Sequence, residues 1–149
     1  MKLETAIRQK AFESEQQKAS LNVMYTGNWL NAQTNRLLKP FGLSHQQLNV
    51  LRILRGAGSG TNLCEIQERM LDRMSNSTRL VEKLRLKGLV TRDACPENRR
   101  KVDIRITQKG LELLGGIDGA IRQMHEGMCT RISAKEAAQL NALLEKMRK

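Results

Sequence analysis

A chain of 149 residues is long enough to bury a real core, and one compact domain is its default reading. Hydrophobic residues make up 40% of it but aromatics only 3%, so the core is aliphatic, drawn from Leu, Ile, Val, Met and Ala. The 26 Lys and Arg against 15 acids leave a formal charge of +11, which points to a polyanionic partner, nucleic acid or an anionic surface, and excludes nothing about fold.

Helical periodicity dominates the chain. The first 39 residues read as one long or broken helix stopping at Pro40, in which Val23, Leu30 and Leu37 recur at heptad spacing and form a seam for another helix. Ser44 to Gln47, SHQQ, is a capping box. It opens a helix that turns Leu48, Leu51 and Leu54 inward and fades at Gly56. GAGSGT, residues 56–61, follows a helix and precedes no Gly-Lys-Ser/Thr, so it reads as a flexible connection and not as a phosphate loop.

Two short helices come next, about Asn62 to Leu71, with Leu63, Ile66 and Met70 buried, and Ser75 to Lys87, with Gly88 just past its end. The tight link LDRMS joins them as a helix-turn-helix. Leu89 and Val90 start a strand. Val102, Ile104 and Ile106 alternate with Asp103 and Arg105 as its half-buried return. The nine residues between Arg92 and Val102, Pro96 among them, form the hairpin loop, which makes the hairpin a wing. Leu114, Ile117, Ile121, Met124 and Met128 then form a second seam, and a capping box at Ser133 to Glu136 opens a last helix carrying Ala137, Leu140, Leu144 and Met147.

The predicted fold is therefore mostly α (α+β): a winged helix-turn-helix lobe over 40–110 with a two-stranded wing, and helical arms over 1–39 and 111–149. A single winged helix needs no such arms. They are best explained if they pack together and against a second copy, as a homodimer.

Residues 72–110 hold eleven Lys or Arg and five acids, a net +6 in about a quarter of the chain. That concentration is the electrostatic footprint of a DNA-binding surface. On the helix from Ser75, a rotation of 100° per residue puts Ser77, Leu80, Val81 and Leu84 on the core side, with Ser75, Thr78, Arg79, Glu82 and Lys83 across the other. The first turn, SNST, either caps the helix or brings its hydroxyl and amide groups to phosphates and base edges; Arg79 points most directly outward, as a guanine-reading Arg does. The DNA contacts expected on the helix are Ser75, Asn76, Ser77, Thr78, Arg79 and Lys83. On the wing they are Arg99, Arg100 and Lys101, one of the two arginines entering the minor groove and the other meeting phosphate.

Other classes fare worse. His45 and His125 lie far apart and have no nucleophile partner, and the acids form no evident pair, so an enzyme is not expected. Cys64, Cys95 and Cys129 fit neither a disulfide framework nor a zinc spacing. No cofactor or metal is expected. The N-terminal MKLETAIRQK is no signal peptide and no run of about 18 apolar residues occurs, which leads to the expectation of a cytoplasmic protein with no membrane partner. The competing reading of the +11 charge is a nonspecific nucleic-acid-binding or architectural winged-helix protein.

With these residues in view, the chain resembles the MarR family of bacterial transcriptional regulators over about residues 20–149. LLKPFGLSHQQLNVLRIL resembles the family's passage into its second helix. STRLVEKLRLKGLVTRD resembles its recognition helix and first wing strand, and CPENRRKVDIRITQKG its wing. The resemblance implies a dimer formed by the terminal helices, a pseudo-palindromic double-stranded DNA operator, and repression relieved by a small, often phenolic or aromatic ligand bound between the arms and the lobe. Tyr25, Trp29 and His45 are the polar aromatics nearest that expected cleft. Asn98 stands where the family usually has Asp, and no Cys precedes Cys64, so the family's redox-sensing position is vacant; Cys95, in the expected loop, is the thiol that could oxidise.

Overall fold

The structure, a computed structural model, describes the backbone of residues 1–95 and 98–149, and their side chains apart from 94–101 and 128–129. Among the described residues seven α-helices and two strands follow in order: α1 Leu3–Ile7, α2 Glu15–Leu38, a 3-10 turn Lys39–Phe41, α3 His45–Ala57, α4 Leu63–Arg69, α5 Ser77–Leu86, β1 Val90–Cys95, β2 Asn98–Ile106, α6 Gln108–Cys129 and α7 Ala134–Met147.

Local chemistry sets most of these ends. Ser44 and Ser133 both form complete capping boxes, with Gln47 and Glu136 reaching back to the cap backbone. The N-terminal helix is broken, because Arg8 turns left-handed (φ 54°) after α1 and Ser14 caps a new start. The Glu4–Lys18 pair, 2.6 Å apart, ties the two pieces together. At the far end of α5, Gly88 (φ 70°) takes the left-handed position. Its N–H donates to Arg85 O over 2.9 Å, and Leu89 N–H donates to Leu84 O over 3.0 Å. This is a Schellman stop, and it feeds the chain directly into β1.

One aliphatic core joins the elements. Val50, Leu51 and Leu54 from α3 meet Ile66 from α4, Val81 and Leu84 from α5, and Ile104 from β2. Each fully buried Leu or Ile contributes about 1.5–3 kcal/mol. The same cluster takes Leu38 from the end of α2 and Leu114, Ile117 and Ile121 from α6. The core thus crosses the boundary expected at residue 110, and the first half of the expected α6 seam closes the lobe instead of waiting for another chain. By contrast Val23 on α2 and Leu140 and Met147 on α7 are exposed in the single chain.

Three further expectations need correction. The 56–61 segment is no free connection: Thr61 and Ile104 exchange two backbone hydrogen bonds (3.0 and 2.8 Å), adding a one-residue third edge to the sheet. The strands run closer to the tip than expected, β1 to Cys95 and β2 from Asn98, so Cys95 ends a strand and Arg99, Arg100 and Lys101 lie on the β2 backbone. The register shifts between Ala94 and Cys95, and that irregularity lets the ladder continue past Val102. Finally, α4 and α5 each fall two residues short of an expected bound: α4 stops at Arg69 because Met70 turns extended, and α5 starts at Ser77 because Asn76 and not Ser75 caps it.

Candidate nucleic-acid interface

The turn between α4 and α5 is built on two side chains. Asp72 accepts from the Met74 N–H (3.1 Å) and from the Ser75 hydroxyl (2.7 Å), while Ser75 N–H donates to the Asp72 carbonyl (3.2 Å). These bonds hold the Asp72 carboxyl below its ordinary pKa, the Ser75 hydroxyl contributing most. Gln67 on α4 donates through Nε2 to Arg73 O (2.5 Å) and accepts the Ser77 hydroxyl through Oε1 (2.6 Å). The link is therefore fixed at both its walls before α5 begins.

This network redistributes the residues expected to contact DNA. Ser77 is buried and bound to Gln67, so its hydroxyl serves the fold and is not presented outward. Asn76 Oδ1 accepts the Arg79 N–H (2.9 Å), and Ser75 is held by Asp72. Thr78, Arg79 and Lys83 are exposed, on the side of α5 away from buried Val81 and Leu84.

The cations divide in the same way. Arg85 pairs with Glu82 at 2.8 Å, lowering the Glu82 pKa; Lys87 donates to Gly42 O, and Lys109 to Lys87 O (3.1 Å). Arg105 pairs with Asp103 at 2.7 Å. Arg73, Arg79 and Lys83 make no ion pair among the described residues. Uncommitted positive charge thus flanks the head of α5 and follows its outer face. Arg99, Arg100 and Lys101 have their backbone in β2, but their side chains, and Pro96 and Glu97 altogether, lie outside the described residues.

The three aromatics expected at one ligand pocket occupy two sites. Tyr25 and Trp29 line a cleft of about 310 Å³ with Met1, Leu3 and Arg131. His45 lies in another, of about 190 Å³, between α2, α3 and the α4–α5 turn, with Asn31, Asn49 and Asp72. Half-burial pushes the His45 pKa down, and Arg52 adds to the effect. Asn49 Nδ2 is buried there without a hydrogen-bond partner among the described residues.

Several structural residues escaped the sequence reading. Asp118 on α6 takes Arg55 (2.5 Å) and Arg52 (3.0 Å) of α3, clamping arm to lobe. Nothing in spacing signals a pair 63 or 66 residues apart. The Asp72–Ser75 bonds are local and follow a recognisable Asx pattern, D-x-x-S, whereas Gln67 carries no signal at all. Among the described residues no group of three or more His, Cys, Asp or Glu converges as for a metal ion, and no helix is long and apolar enough to cross a membrane.

Comparison with known proteins agrees with this geometry. Residues 43–102 match the MarR family. A solved MarR transcription factor from Planctomyces limnophilus is 35% identical, with 91% of this chain and 98% of that one covered at a TM-score of 0.68. The HTH-type transcriptional repressor IacR of Pseudomonas putida is 28% identical over 74% of this chain; the match spans 65% of that repressor's length. The fold is also that of the S. aureus MepR–DNA complex, at TM-score 0.79 and 21% identity, covering 87% of this chain and 94% of that one.

Proposed function

The chain belongs to the MarR family of transcriptional regulators, and from that premise we propose that it is a sequence-specific double-stranded-DNA-binding repressor, working in the cytoplasm as a homodimer on a pseudo-palindromic operator. The observation that carries the reading is the pinned α4–α5 turn, which presents Arg73, Thr78, Arg79 and Lys83 together on one uncommitted basic surface. Arg79 meets base edges in the major groove, Lys83 and Arg73 meet phosphate, and Arg99, Arg100 and Lys101 follow the backbone or minor groove beside it. Asn76 also stands at the helix mouth. Its Oδ1 is taken, but its amide N–H groups are free to donate to phosphate.

Dimerisation is supported by apolar side chains that the single chain leaves uncovered at its two ends: Val23, Met24 and Trp29 on α2, and Leu140, Leu143 and Met147 on α7. Two copies would set their α5 helices in successive major grooves. Repression is supported by the Pseudomonas putida relative. A small aromatic or phenolic effector is the fitting occupant of the Tyr25–Trp29 cleft, whose volume reaches the lower end of small-molecule sites and whose Arg131 suits an acidic substituent.

The test is fluorescence anisotropy with the duplex upstream of the protein's own gene and a scrambled duplex, across a salt series. A preference of about a thousandfold or more at about 150 mM salt is the expected result. Equal affinity for the two duplexes, lost together as salt rises, would instead support the nonspecific architectural reading or place the operator outside that region.

A further inference from the structure

We propose that Met74 and Thr78 recognise thymine through its 5-methyl group, beside a guanine taken by Arg79; this rests on the DNA-binding reading above and adds to it the chemistry of the half-site.

The inference comes from asking which side chains at the head of α5 remain uncommitted. Three of the four polar groups in SNST are engaged in holding the fold: the Ser75 hydroxyl on Asp72, the Asn76 carbonyl on Arg79 N–H, and the buried Ser77 hydroxyl on Gln67. Thr78 makes no side-chain hydrogen bond to a described residue and is exposed. Next to this surface stands Met74, 94% exposed, two residues ahead of the cap. An apolar side chain so placed gains nothing in the free protein.

Its root is nevertheless rigid. The Met74 N–H is bound by Asp72, the carbonyl before it accepts from Gln67, and the N–H after it donates to Asp72 O. The turn therefore presents a flexible thioether from a fixed point between Arg73 and Arg79, both exposed. Positive charge brings a polyanion to that point, and phosphate offers a thioether no useful contact. Among the groups displayed in the major groove, the apolar one is the thymine C5 methyl. Thr78 carries a methyl of its own beside its hydroxyl and suits the same edge. Leu71, the other exposed apolar residue of the turn, instead lines the cleft shared by His45 and Asn49 and takes no part.

The experiment starts by selecting duplexes from a random library with the full chain, then replaces each thymine of the selected site singly by deoxyuridine, which lacks only the methyl. Wild type should lose about fourfold in affinity at one or two thymines, the factor that follows from removing one methyl from an apolar contact. Met74→Ala or Thr78→Ser, with unchanged melting temperatures, should bind more weakly and show no further loss at the corresponding thymine. Free replacement of every thymine overturns the proposal while leaving specific DNA binding intact. So does a deoxyuridine penalty that both variants retain in full. A library that enriches no sequence overturns the DNA reading itself, and this inference with it.

Discussion

Ser77 donates its hydroxyl to Gln67 Oε1 over 2.6 Å, so the first residue of α5 is bolted to the helix before it. The hydroxyl is buried, and removing either partner strands the other. Ser77→Ala should therefore lower unfolding free energy by about 1–2 kcal/mol in urea titration, whereas Thr78→Ala, on the exposed side, should leave it nearly unchanged. Equal stability of Ser77→Ala and wild type would show that the bond contributes nothing net.

Gly110 lies against the base of the wing. A Cβ there would run into the Leu89 carbonyl and Ile106 Cγ1, the first of which is backbone and cannot step aside. Gly110→Ala is expected to cost about 1–3 kcal/mol and to lower the melting temperature, by overpacking and not by any change of helix propensity. Gly115→Ala, where a Cβ meets nothing within 4 Å, is the control and should be neutral or stabilising.

Asp118 clamps α6 to α3 through Arg55 and Arg52. The Arg55 hydrogen bond holds its carboxyl below the ordinary value, burial opposes this, and Arg52 reinforces it. A folded-state pKa below the unfolded one means that the contribution is present above the unfolded value of about 3.9 and fades as pH falls through the folded value. All three side chains are partly exposed, so Asp118→Asn should lose only about 0.5–1 kcal/mol near neutrality. The gap from wild type should close on acidification, and urea midpoints measured from neutral pH down to about pH 3 would show it. A gap that widens in acid would contradict the clamp.

On the wing, Arg99→Glu or Arg100→Glu should weaken binding to every duplex and reduce the slope of log affinity against log salt by about one unit or more for each phosphate no longer neutralised. Arg79→Ala should chiefly change which sequence is preferred. Wing variants that bind as wild type does would dismiss the wing from the interface.

Leu143 and Met147 are exposed on the last helix, 61% and 53%. Leu143→Glu should leave the lobe folded, by circular dichroism, and shift sedimentation from dimer to monomer. A wild-type chain that already sediments as a monomer would remove the homodimer from the reading.

Local patterns carried much of this fold. Ser44 and Ser133 announce their helices because a cap satisfies backbone groups within four residues, and Gly88 marks a stop because the left-handed position excludes most side chains. Likewise the alternation of Val102, Ile104 and Ile106 is a direct image of a half-buried strand, and the basic cluster over 72–110 needs only counting. What the tertiary structure decided is which groups are free. SNST looks like four polar side chains available to DNA, but Asp72, Gln67 and the Arg79 N–H engage three of them. The α6 seam looks like an interface, but Leu114, Ile117 and Ile121 are consumed by the lobe. Tyr25, Trp29 and His45 look like one pocket and fall into two. In each case the residue's chemistry is fixed by its type, whereas its availability depends on neighbours brought close by packing across dozens of residues, and no short-range pattern records those.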